Sequence, residues 1–198
     1  MSIKNKILHR IRGKGRGTLV MASSFYDIAN RDLIDQTLFR LNKNGVLCKL
    51  SRGLYFYPKK HPIIGVMLPT PDDIALQLAK IKCCSVQISG AQAAHLLGLS
   101  QQVPAKHIYY TNAFSRTITV GNTKILFKKS SNQAIFAGVN KKAGLIIQAM
   151  RHLGEKHINK TIVSVIKQGL SDKDAKELKT YLPFLPIWMH DTIKTLAA

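Results

Sequence analysis

Residues 24–58 read SFYDIANRDLIDQTLFRLNKNGVLCKLSRGLYFYP, and the order of elements in that stretch decides the fold of the first part of the chain. Residues 24–29 suffice for a short helix. Asn30 is a good acceptor for helix N–H groups and opens a second helix over residues 30–44. Within it Ile34, Leu38 and Leu41 keep the i, i+4, i+7 spacing of a buried stripe, and Asp32, Gln36, Arg40 and Lys43 fall opposite. Gly45 ends it. Residues 46–50 and 54–57 then alternate as paired strands joined by Ser51-Arg52-Gly53, where Gly53 permits the positive φ of a tight turn. Helix, helix, hairpin is the order of a winged helix-turn-helix. Such a module sets one helix in the major groove of DNA and a hairpin tip against the backbone or minor groove.

Composition points the same way. Thirty Lys and Arg against ten Asp and Glu leave a formal charge of +20 over 198 residues. An excess of that size repels itself in the compact state and favours a polyanionic partner. It is spread along the chain: residues 1–65 carry 13 basic and 3 acidic side chains, and residues 66–198 carry 17 and 7. With 45% hydrophobic residues the chain is richer in core-forming side chains than an ordinary small basic protein. A bilayer-spanning helix needs roughly 18 or more consecutive apolar residues. The nearest case, residues 63–68, is bounded by Pro62 and Pro69. No membrane association is expected. Three cysteines, two of them adjacent at 83 and 84, do not suggest a disulfide framework and fit a reducing cytoplasm.

Residues 2–12 read as the first helix, with Ile3, Ile7, Leu8 and Ile11 on one side and Lys4, Lys6, Arg10 and Arg12 outside. Arg12-Gly13-Lys14-Gly15-Arg16-Gly17 then alternates charge with glycine. Its spacing matches neither nucleotide-binding glycine motif. The remaining readings are a basic loop lying along a DNA backbone, with Lys14 and Arg16 as phosphate contacts, or a flexible linker. In the second helix, Arg31 near the leading end suits guanine O6 and N7, and Gln36 suits adenine N6 and N7. Arg40 and Lys43 suit phosphate, and Lys49 and the turn residue Arg52 suit phosphate or the minor groove. Among residues 54–57 one alternate pair is expected to pack on the core and the other to remain exposed.

The runs NRDLIDQTLFRL at 30–41, Gly45-Val46-Leu47, and LSRGLY at 50–55 resemble the N-terminal domain of AbiEi-type antitoxins of bacterial type IV toxin–antitoxin systems. That family's pattern is a helix with a leading Arg, a short Gly turn, then a hairpin with Ala/Ser-Arg-Gly-Leu-Tyr. The likeness covers residues 1–60 and extends over 69–99; beyond residue 100 it is architectural only. The resemblance implies a DNA-binding antitoxin that represses its own operon by binding double-stranded DNA at its operator. It also implies a cognate nucleotidyltransferase-like toxin, counteracted functionally and without a required stable contact.

Residues 61–71 contain Pro62, Pro69 and Pro71 and read as a linker between a winged-helix domain at 1–62 and a second domain at 66–198. Thr70-Pro71-Asp72-Asp73 is a helix-start signal, which accounts for the paired carboxylates better than catalysis does. Helices over 71–82, 90–97 and 141–153, strands over 85–88, 106–111, 116–120 and 123–128, and a hairpin turn at Gly121-Asn122 follow. Ser171 and Asp174 form a capping-box pattern, opening a helix to about 181, and a last helix follows Pro186. The expected class is α/β (α+β) with a helical C-terminal tail. Arg116, Lys124, Lys128 and Lys129 form a possible second basic face. Catalytic signals are thin: no Gly-x-Ser-x-Gly, no His-Glu-x-x-His, and His152 and His157 are poorly spaced for one metal. No enzyme activity, cofactor or metal is expected. The alternative reading is an RNA-binding or ribosome-associated basic protein.

Overall fold

The structure, a computed structural model, describes residues 1–63 and 65–197. It is a mixed α+β protein in two compact units. One comprises Met1–Cys83 with Ile118–Lys124, the other Cys84–Thr117 with Ile125–Ala198.

In the first unit, helix α1 (Ile3–Lys14) is capped by Ser2, whose Oγ accepts from Asn5 N at 3.3 Å, and buries Ile7 and Ile11. It runs through Gly13 and stops at Gly15, where φ is +82°. The glycine loop is not a free linker. Thr18 Oγ1 donates to Lys14 O and Gly15 O at 3.1 and 2.9 Å, and Gly17 N donates to Tyr57 O at 2.7 Å. These bonds steer the chain into strand β1 (Leu19–Met21). That strand is absent from the sequence reading, because three residues carry too little periodicity to be seen. A 3-10 turn over Ala22–Phe25 stands where a short helix over 24–29 was expected.

Helix α2 (Arg31–Lys43) follows the pattern closely. Asn30 Oδ1 accepts from Leu33 N at 3.1 Å, and Ile34, Leu38 and Leu41 are buried. Strands β2 (Cys48–Ser51) and β3 (Leu54–Phe56) complete an antiparallel sheet in the order β1-β3-β2. A register shift falls between Lys49 and Ser51. Val20 and Tyr55, paired across β1 and β3, share a core with Ile7, Ile11, Phe25 and the buried stripe of α2.

The opposite sheet face is covered as well. Leu19, Leu54 and Phe56 are all buried, so residues 54–56 have no exposed pair. Helix α3 (Pro71–Lys82) packs against β1, with Ile74, Ala75 and Leu78 buried. Gln77 reaches the strand: its Oε1 accepts from Leu19 N at 2.7 Å, and its Nε2 donates to Gly17 O at 2.9 Å. A side chain thus pairs part of the sheet edge that a neighbouring strand would otherwise satisfy. The first unit therefore runs on past residue 62 to Cys83. Residues 59–61 and 65–67, expected within or beside a linker, pair as antiparallel strands β4 (Lys59–His61) and β5 (Gly65–Met67) whose residues are all exposed. Gln77→Ala should cost the full-length chain about 2 kcal/mol, because it leaves a part-buried N–H and C=O without partners. Urea unfolding checks this, and a midpoint equal to wild type would show that the amide does not hold β1.

A four-stranded sheet has β6 (Val86–Ile88), β7 (His107–Thr111), β8 (Arg116–Val120) and β9 (Thr123–Lys129) in the order β6-β7-β9-β8, with β7 and β9 parallel; its residues belong to the second unit except Ile118–Lys124. Helix α4 (Gly90–Leu96) sets Ala93 and Ala94 against Ala149 of α5 (Lys142–Leu153). The larger core joins Ile146, Ile147 and Met150 of α5 to Ile166 of α6 (Lys160–Gln168), Leu178 of α7 (Asp172–Thr180), and Met189 and Ile193 of α8 (Trp188–Leu196). The capping box read at Ser171 and Asp174 is present, and the helix start read at Thr70 is also a full capping box, with Asp73 as its second member. The Ser171 hydroxyl holds the Asp174 carboxyl below the usual carboxylate range. The Lys141 ammonium, in an ion pair with Glu177, does the same to that residue. Helix α6 lies outside the helices read from sequence. Asn159 caps it, accepting from Ile162 N at 2.9 Å. Among the described residues no helix is long and apolar enough to cross a membrane.

Candidate nucleic-acid interface

With Ile34, Leu38 and Leu41 turned inward at about 100° per residue, the outward face of α2 carries Gln36, Phe39, Arg40 and Lys43, all exposed. Phe39 is 49% exposed, with the Lys43 ammonium 5.5 Å from its ring centre. Leu33, 43% exposed, adds a second apolar group on this side. A large apolar side chain on a recognition face meets the thymine methyl in the major groove. Phe39 falls partly on the outer face in the sequence as well, without an assigned role there, and Leu33 is added by the structure; the signal for both is an apolar residue off the core stripe. Arg31 sits on the flank of the helix, 3.6 Å from Asp35 in an exposed i, i+4 pair. Such pairs are worth only a few tenths of a kcal/mol, so a stronger acceptor can take the guanidinium.

The β2–β3 turn presents Arg52 beside Gly53, whose φ is +71°. Lys49 lies opposite Tyr55 and therefore leaves the sheet on the side of α1 and α2. Among the described residues no carboxylate pairs with Arg40, Lys43, Lys49 or Arg52. Arg10, expected outside, is already committed: its guanidinium forks onto Asp27 at 2.6 and 2.7 Å and reaches Ser24 O at 3.1 Å. That contact holds the Asp27 carboxyl below its ordinary range.

The glycine loop is at the other end of the sheet. Leu19 pairs with Phe56 and Met21 with Leu54, so the chain entering β1 lies at the far end of β3 from Arg52. Residues 54 and 57 alone are roughly 10 Å apart along an extended strand. Lys14 is exposed there. Arg16 is partly engaged, donating to Pro58 O at 3.0 Å with its guanidinium 5.1 Å from the Tyr57 ring centre. Of the eight residues read as a DNA surface, Arg31, Gln36, Arg40 and Lys43 thus lie on α2, Lys49 and Arg52 on the β2–β3 hairpin, and Lys14 and Arg16 at the sheet end away from the Arg52 turn.

The possible second basic face also divides. Lys124 follows the Gly121-Asn122 turn and belongs to Ile118–Lys124, whereas Arg116, Lys128 and Lys129 lie at the other end of β8 and β9, within the second unit. Asp172 and Asp174 serve the start of α7. Cys48, Cys83 and Cys84 are free thiols. Among the described residues no three His, Cys, Asp or Glu side chains converge as a metal site.

These features define a basic α+β protein with a cationic helix face, unpaired among the described residues, and a hairpin turn that presents Arg52. The chain belongs to the DUF6088 family, a family of unknown function, whose model matches residues 6–178. No curated protein matches it.

Proposed function

We propose that the first unit is a winged helix-turn-helix that binds double-stranded DNA sequence-specifically, and that the chain is the antitoxin of a bacterial type IV toxin–antitoxin system. On this reading it represses its own operon and counteracts a nucleotidyltransferase-like toxin in the cytoplasm, with no catalytic step and no cofactor of its own. The observation that carries the DNA reading is the exposed row Gln36, Arg40 and Lys43 on α2, without a carboxylate partner among the described residues, together with a hairpin whose turn presents Arg52. The element order of helix, strand, turn, helix and hairpin supports it. The antitoxin reading rests on the likeness of residues 30–41 and 50–55 to the AbiEi-type pattern.

The division of labour follows from reach and chemistry. Gln36 and Arg31 read base edges; Arg40, Lys43, Lys49 and Arg52 hold phosphates. Lys14 and Arg16, at the other sheet end, meet a more distant stretch of backbone. Fluorescence anisotropy with the chain's own promoter, a random duplex and a structured RNA tests the reading. Promoter affinity should exceed random-duplex affinity by about a hundredfold or more and fall with added salt. Equal affinity for all three would overturn it in favour of a general RNA-binding or ribosome-associated protein. Co-expression with the neighbouring gene tests the antitoxin half: failure to relieve that gene's toxicity would remove it while leaving DNA binding intact.

A further inference from the structure

Between Asp73 and Glu155 the chain contains no carboxylate side chain, while Lys and Arg recur throughout. The β7–β8 loop of the second unit lies in the middle of this stretch. It is pinned at both ends and beneath. Asn112 Oδ1 accepts from Ser85 N at 2.9 Å, Thr111 Oγ1 from Ala113 N at 3.1 Å, and Ser115 Oγ from Lys129 N at 2.8 Å. Yet this tethered loop holds Phe114 84% exposed. The Lys129 ammonium lies 5.8 Å from its ring centre, and at that exposure the ring keeps an open face.

Two residues on, Arg116 presents the complementary oddity. Its side chain is half-buried, with the guanidinium 5.3 Å from the centre of the Phe127 ring, which itself stacks on Tyr109. A charge withdrawn from water is normally paired. Among the described residues Arg116 has neither a carboxylate nor a hydrogen-bond acceptor for its guanidinium. Burial pulls its pKa down, opposed by the nearby Cys84 thiol. Lys128 and Lys129 stand beside it at the end of β9.

An open aromatic face on a tethered loop, two residues from a guanidinium without an anion among the described residues, matches one nucleotide: the base stacks on the ring and the phosphate takes the fork. We infer that Phe114, Arg116 and Lys129 form a binding site for single-stranded nucleic acid, with an unstacked base on Phe114 and its phosphate at Arg116. A duplex offers no such base, so the site is distinct in chemistry from a groove-reading helix and does not depend on the DNA reading of the first unit. The strand is RNA or DNA, since the base face and phosphate are common to both.

Full-length protein titrated against fluorescein-labelled oligouridine and oligothymidine provides the test, with the promoter duplex as a third probe. Wild type should bind at least one single strand. Phe114→Ala should weaken that binding about tenfold and leave the promoter duplex unchanged. Phe114→Trp should retain it, with tryptophan emission quenched on binding beyond any change seen in wild type, whose one tryptophan is Trp188. Arg116→Ala should lower the salt slope for the single strand by about one. The stronger of the two single-strand arms identifies RNA or DNA as the source. Wild-type protein that binds neither single strand, or Phe114→Ala that binds as tightly as wild type, overturns the site. A parallel loss on single strand and duplex does so too, because the ring would then serve a general surface.

Discussion

Gly144→Ala is expected to destabilise the protein by about 2 kcal/mol, although residue 144 lies in helix α5 and alanine is the better helix former by about 1 kcal/mol. The reason is a backbone crossing. A Cβ at residue 144 would overlap the Gly138 carbonyl oxygen, come within 2.6 Å of the Gly138 carbonyl carbon, and stand 2.8 Å from Gln87 Nε2. The first two neighbours are backbone, which cannot rotate away, and Gly138 itself has φ +64°. The third is a 4% exposed glutamine whose Nε2 donates to Ala137 O at 3.4 Å. Overpacking of this kind costs about 1–3 kcal/mol or more, and outweighs the propensity gain. Gly13→Ala is the control: residue 13 lies in α1 with nothing within 4 Å of an added Cβ, so it should stabilise by about 0.5–1 kcal/mol. Thermal and urea unfolding separate the two, and a Gly144→Ala midpoint raised like that of Gly13→Ala would refute the crossing.

The other large effect is on binding. Removing three unpaired cations together, Arg40→Ala, Lys43→Ala and Arg52→Ala, should reduce affinity for the promoter by about 100- to 1,000-fold near 0.1 M salt. The log–log salt slope should fall by about 2.7, or 0.9 for each phosphate released. Random duplex should lose affinity in proportion, because phosphate contacts carry no sequence information. Gln36→Ala should instead narrow the gap between promoter and random duplex by about 1–3 kcal/mol. All four side chains are exposed, so the circular dichroism spectrum and melting temperature should stay near wild type. An unchanged salt slope in the triple variant would remove α2 and the hairpin as the DNA surface. Lys14, Lys59 and Lys60 at the opposite sheet end would then be the next cations to test.

Where residue spacing alone sets a local element, the sequence was sufficient. The i, i+4, i+7 stripe of α2, its Asn30 cap, the Gly53 turn, the Thr70 helix start and the Ser171–Asp174 capping box each depend on residues within a few positions of one another, and each is present as read. The class of the fold and the charge that points to a polyanion follow from composition and element order in the same way. What distant residues decide could not be read. Strand β1 exists because residues far along the chain, Phe56 and Gln77, supply its hydrogen bonds, and three residues alone carry no such information. Tyr55 and its neighbours are buried on both faces because α3 covers the side that alternation left open. Arg10 and Arg116 look like equal surface cations in sequence. Only the fold spends one on Asp27 and leaves the other over Phe127 without an anion, because a charge's availability depends on which partners the tertiary structure brings within reach.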